Sequence, residues 1–131
     1  MGAVEALAML GERAKASKLY PIVLEAIDRG VVWRTFDSRL VQSVAGMAAA
    51  AGGQWEQAEQ HYELALRLAH ELPVKHEQPE VRRWYARMLI DRDGPGDRDK
   101  AFRLLTEAIA MYRDIGMPKH LELAQALLRE V

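Results

Sequence analysis

The chain has 131 residues, half of them apolar, no cysteine and a formal net charge of −1 at pH 7. That is enough apolar material for one domain with a continuous core. It excludes disulfide frameworks and thiolate metal sites, and it leaves no overall positive field to attract a polyanion. The longest apolar run, Val41 to Gly53, is interrupted by Gln42 and Ser43 and falls short of a membrane span, so a soluble, cytoplasmic domain is expected.

In chain order, Ala3 to Leu10 predicts two turns of helix before Gly11. The next helix runs through LYPIVLEAID to a stop at Gly30, and Pro21 places its start near Ser17, so that the missing amide proton falls near the first turn. Val31, Val32, Trp33 and Phe36 make an apolar connector expected to tuck against the body of the protein. A helix from Arg39 to Ala51 follows, with Asp37 or Ser38 as its cap, and its VAGMAAAA run allows a partner helix to come close. Gly53 to Leu72 then reads as one long amphipathic helix with Trp55, Ala58, Tyr62, Ala65, Leu66, Ala69 and Leu72 on one stripe. Pro79 suits the first position of a helix from Glu80 to about Arg92. DGPGD is the connection to a helix capped by Asp97 and ending at Ile115, before Gly116 and Pro118. The last helix, Lys119 to Val131, turns Leu121, Ala124, Leu127, Leu128 and Val131 inward.

The long central helix has two relatives within the chain. Gly53, Trp55, Ala58, Tyr62, Ala65 and Leu66 align with Gly11, Arg13, Ala16, Tyr20, Val23 and Leu24, and with Gly96, Arg98, Ala101, Leu105, Ala108 and Ile109, at offsets of 42 and 43 residues. A fixed period in this range is the signature of stacked helical hairpins. The middle unit, with Gly46 as the small residue of its first helix, resembles the tetratricopeptide repeat. Arg13, Val23, Arg98 and Leu105 depart from that pattern, and the period exceeds the family's roughly 34 residues, so the chain is TPR-like rather than a regular array. The tail, AFRLLTEAIAMYRDIGMPKHLELAQALL, is similar to the helical repeats that close large bacterial signalling proteins with ATPase or nucleotide-cyclase domains, neither of which is present here.

Chemistry-bearing motifs are few. His70 and His76 are six apart with Pro73 between them, whereas a helical zinc pair needs a spacing of four. Asp91, Asp93, Gly96 and Asp99 imitate a calcium loop, but Pro95 and Phe102 replace two ligands, which favours a capped turn. Arg82, Arg83 and Arg87 beside Trp84 and Tyr85 could grip a phosphate or stack on a base, or simply pair with nearby acids. No phosphate-cradling glycine loop, nucleophile elbow or catalytic pair occurs, and no cofactor or metal is expected.

Together these readings predict an all-α, TPR-like α-solenoid over residues 1–131, with hairpins at about 3–29, 38–72 and 80–115 and a capping helix at 118–131. The expected role is non-enzymatic: a protein-interaction module, or an intramolecular regulatory module in the C-terminal part of a larger signalling protein. The alternative is nucleotide or nucleic-acid binding through Arg82, Arg83 and Arg87. Resemblance to tetratricopeptide proteins implies a peptide groove lined by Leu40, Ser43 and Met47 of the middle hairpin and Arg83, Ala86 and Ile90 of the third. The thin polar cover of Val4, Leu7 and Leu10 predicts an N-terminal edge that meets a preceding unit or a second copy of the chain.

Overall fold

The computed structural model describes residues 2–34 and 39–131. Their backbone is mostly helical: α1 (Gly2–Met9), α2 (Arg13–Lys18), α3 (Tyr20–Asp28), α4 (Val41–Ala51), α5 (Trp55–Glu71), α6 (Glu77–Arg92), α7 (Asp97–Ile115) and α8 (Pro118–Leu128). The expectation of helices alone misses two short strands, β1 (Trp33–Arg34) and β2 (Arg39–Leu40), which pair antiparallel with Trp33 opposite Leu40. Branched and aromatic side chains in VVW favour extended backbone, and the pairing continues as the Val41 amide donates to the Val32 carbonyl. Trp33 is half-buried while Val31 and Val32 remain exposed, so the connector is only partly tucked in. Phe36, Asp37 and Ser38 lie outside the described residues. The helix expected from Arg39 begins instead at Val41, after Leu40 in extended conformation.

The three aligned units share a glycine conformation and a pattern of burial, although the first is divided into α2 and α3 where the others have one continuous helix. Gly11, Gly53 and Gly96 all adopt positive φ, of 74°, 71° and 78°, a conformation that glycine takes without a Cβ penalty. Five residues on, Ala16, Ala58 and Ala101 are fully buried. Tyr20, Tyr62 and Leu105 are buried next, then Val23, Ala65 and Ala108, while Leu24, Leu66 and Ile109 are half-buried. One pattern of side-chain size therefore produces one pattern of burial three times.

Pro21 falls in the first turn of α3, as its missing amide requires. The residues before it are also helical, however, and the break occurs at Leu19. α6 starts three residues earlier than expected, with Pro79 still inside the first turn, where its nitrogen owes no hydrogen bond. Asp97 is the first residue of α7 rather than its cap. Gly30 and Gly116 follow α3 and α7 in the left-handed conformation, and α8 starts at Pro118 but ends at Leu128, short of Val131.

Contacts sort the chain into two compact units, Met1–Leu68 and Ala69–Val131. In the first, α1, α2 and α3 each pack on α4. α4 buries Val41, Ser43, Val44, Ala45, Gly46, Met47, Ala48 and Ala49, so it is apolar nearly all round, as a central helix must be. Its small residues allow close approach. A Cβ built on Gly46 would sit 2.9 Å from the Tyr62 ring of α5, which occupies the space a side chain would need. Arg39 of β2 grips Glu5 of α1 through two nitrogens, at 2.5 and 3.2 Å. In the second unit α6 packs on α7 and α7 on α8. Its core draws Tyr85, Met88 and Leu89 from α6, Leu104, Leu105 and Ala108 from α7, and Ala124 and Leu127 from α8.

Gly46→Ala should lower stability by about 1–3 kcal/mol, because the new methyl group meets a ring that is itself almost fully buried. Gln60→Ala, at an exposed position of α5, should stay within about 0.5 kcal/mol. Urea melts of the two variants check both values.

Candidate functional site

The six residues expected to line a groove are all covered. Leu40, Ser43 and Met47 in the first unit are 0, 1 and 3 % exposed, and Arg83, Ala86 and Ile90 in the second are 9, 0 and 9 % exposed. Leu40 belongs to β2 rather than to the helix on which the groove reading placed it. None of the six presents a free anchor to solvent. The side chains that the resemblance marks as a groove stripe are thus buried within their own units.

Arg83 shows why. It lies one turn from Glu80 on α6, and its Nη2 donates to both Glu80 carboxylate oxygens at 3.2 Å. Its Nε donates to the Tyr112 hydroxyl of α7 at 3.2 Å, and the Tyr112 O–H in turn donates to Glu80 Oε1. The guanidinium carbon stands 5.0 Å from the centre of the Trp84 ring. His120 of α8 completes the neighbourhood, with Nε2 3.9 Å from Glu80 Oε1 and its ring 5.7 Å from that of Tyr112. Burial opposes the charge on Arg83, but Glu80 and Tyr112 outweigh it and hold the guanidinium pKa above its usual value. Burial and the Glu80 carboxylate drive the Tyr112 phenol far up, despite the opposing pull of Arg83. Tyr112 is thereby a hydrogen-bond donor that keeps its proton. With Glu80 1 % exposed, the cluster ties α6 to α7 through hydrogen bonds shielded from water.

The other two arginines are engaged as well. Arg82 donates to Glu107 at 2.7 Å and to the Gln78 carbonyl at 3.0 Å. Arg87 bridges Asp91 at 2.6 Å and Glu130 at 2.8 Å. The cluster that could have gripped a phosphate is thus already neutralised by acids of its own unit. The loop that imitates a calcium site is likewise self-paired. Asp93 meets Arg98 at 2.9 Å, and Asp97 takes two hydrogen bonds of 2.7 Å from Arg92 and one of 2.9 Å from the Gly94 amide. Those bonds from Arg92 outweigh burial and hold the Asp97 carboxyl below its ordinary range. No group of three metal-ligating side chains occurs among the described residues. His70 lies in the last turn of α5, and His76 stands just before α6.

Surface features that sequence reading missed lie on the first unit. Ile22 is 58 % exposed and lines a shallow cleft of about 300 Å³ with Glu25, Ala26, Arg29 and Val31. Glu25 and Arg29 pair at 2.6 Å beside it, and both are well exposed. Met9 and Leu10 at the end of α1 are 63 and 77 % exposed, whereas Val4 is fully buried and Leu7 half-buried. The available signal was the spacing of Ile22, Ala26 and Arg29 on the side of α3 that does not carry Tyr20 and Val23. No helix among the described residues is long and apolar enough to cross a membrane. The chain matches no protein-family model, no curated protein and no solved structure.

Glu80→Gln removes the carboxylate that neutralises a buried guanidinium and should cost about 3–5 kcal/mol, whereas replacing Glu80 and Arg83 together by Leu and Met should recover much of that loss. The Tyr112 pKa is raised in the folded chain, so its contribution is fully present below the unfolded value of about 10 and is lost as pH rises beyond it. Tyr112→Phe should therefore flatten the alkaline fall in stability, which denaturant melts between pH 8 and 11 would reveal.

Proposed function

We propose that this chain is a protein-interaction module built from tetratricopeptide-like helical hairpins, with the cleft on α3 as its capture point. The observation that carries this reading is the threefold recurrence of a left-handed glycine, a fully buried alanine five residues on, and two further buried positions. Repeated helical units of this kind can keep their core pattern while their surface varies, a property suited to recognising other chains. The cleft supplies chemistry for a peptide. Ile22, Ala26 and Val31 offer an apolar seat for one side chain, and the exposed Glu25 and Arg29 can exchange each other for a basic and an acidic residue on either side of it. Nucleotide binding through the arginine cluster has less support, because Arg82, Arg83 and Arg87 would each have to leave an acid already in place.

A thermal-shift screen of amphipathic peptides, nucleotides and divalent metal ions tests the reading. Peptides carrying a branched apolar residue between charges of opposite sign should raise the melting temperature, and Ile22→Glu should abolish that rise. Stabilisation by a nucleotide or a metal ion that persists in Ile22→Glu would overturn the proposal.

A further inference from the structure

His61 of α5 is the meeting point of three helices. Its Nδ1 lies 2.7 Å from Oε1 of Gln42 on α4, and its Nε2 lies 2.7 Å from the hydroxyl of Tyr20 on α3. The tautomer follows from the partners. Gln42 Oε1 can only accept, so Nδ1 carries the proton and donates it. Nε2 is then the lone-pair nitrogen and accepts from the Tyr20 O–H. Burial raises the Tyr20 pKa, which keeps the phenol in its donating form. A neutral imidazole therefore satisfies both ring nitrogens, the Gln42 oxygen and the Tyr20 hydroxyl at once.

A second proton breaks this balance. It must add at Nε2, which then becomes a donor facing another donor. Tyr20 has to turn its own hydrogen elsewhere, although its side chain is almost fully covered. Among the described residues, the hydrogen-bond partners of His61 are the neutral Tyr20 and Gln42, and no ion pair to its ring compensates the imidazolium. α4 has no ionisable side chain anywhere along its length. On α5, the residues one turn from His61 are Gln57, Ala58, Leu64 and Ala65. On α3 the acids are Glu25 and Asp28, both exposed, with Glu25 committed to Arg29. Lys15 and Lys18 of α2 are exposed bases that would add only repulsion. Half-burial without an ionic partner holds the His61 pKa below its ordinary value of 6.5.

We propose that His61 is an acid-sensitive latch, which pins α3 to α4 and α5 while its ring is neutral and releases α3 when Nε2 takes up a proton. α3 is suited to be the moving part: it is a short helix, separated from α2 by the break at Leu19 and followed by Gly30 at positive φ. A histidine is the side chain whose unperturbed titration lies where mild acidification acts. The effect on peptide capture rests on the cleft reading above, since α3 carries Ile22 and Ala26. The latch itself is a property of α3 and is measured without any peptide.

The experiment is amide hydrogen exchange of the full chain between pH 7.5 and 5, corrected for the intrinsic pH dependence of exchange, together with an NMR titration of the His61 ring. Below pH 6.5 the amides of residues 22–28 should lose protection by up to about tenfold per pH unit, until the folded-state pKa of His61 is reached, while those of α7 keep theirs. The sign is fixed by the lowered pKa: the stabilisation is complete above 6.5 and is lost as pH falls. His61→Gln, which stays neutral, should remove the pH dependence of α3. Should that variant fail to fold, the native chain decides: a His61 ring that titrates below 6.5 together with α3 protection lost over the same pH range supports the latch. The proposal is overturned by a ring that titrates at or above 6.5, by α3 protection that does not change with pH, or by the same loss in His61→Gln.

Discussion

An aromatic ring can pack directly on the backbone of a neighbouring helix only if the position facing it has no side chain in the way, and the approach of α5 to α4 at Gly46 is governed by that constraint. Tyr62 lies where a Cβ on Gly46 would be, and the alanines around Gly46 keep α4 slim enough for α1, α2 and α3 to pack on it as well. Leucines in place of the alanine run would raise hydrophobicity and still harm the unit, because dense packing rewards complementary shape over apolar volume. The low side-chain entropy of alanine makes the arrangement cheaper to order than a leucine-rich helix of equal length.

The second unit is organised on different physics. Glu80, Arg83 and Tyr112 place charge where water cannot reach, and the three groups satisfy one another. Such a cluster contributes little net stability compared with an apolar replacement, but it tolerates few alternative packings, because any shift of α6 along α7 strands a charge. Arg87 and Arg98 extend the same principle to the chain end, where they hold the Glu130 carboxylate and the carbonyls of Glu130 and Val131.

The helices were largely legible in the sequence, because the stripe through Ala58, Tyr62, Ala65 and Ala69 follows the helical period and all four residues are buried. The close approach at Gly46 was legible for the same reason: small residues facing an aromatic leave few other arrangements. What escaped reading depends on distance along the chain. Tyr112 is 32 residues from Glu80, and Tyr20 is 41 from His61, so neither pair leaves a local pattern. The groove residues were placed by resemblance. Periodicity says which residues share a face of a helix, but whether that face meets solvent or protein depends on what packs against it.

The turn between α6 and α7 contains Asp93 followed by Gly94, a dipeptide prone to chemical ageing. In that reaction the glycine nitrogen attacks the aspartate side chain, forms a cyclic imide and leaves an isomerised backbone. Here the Gly94 amide donates to Asp97 at 2.9 Å, and the Asp93 carboxylate is held by Arg98 at 2.9 Å. The nucleophile and its target are thus each detained by another partner, and the backbone of Asp93 is fixed in the left-handed region. The same hydrogen bonds that shape the turn therefore also engage both groups that the ageing reaction would have to bring together.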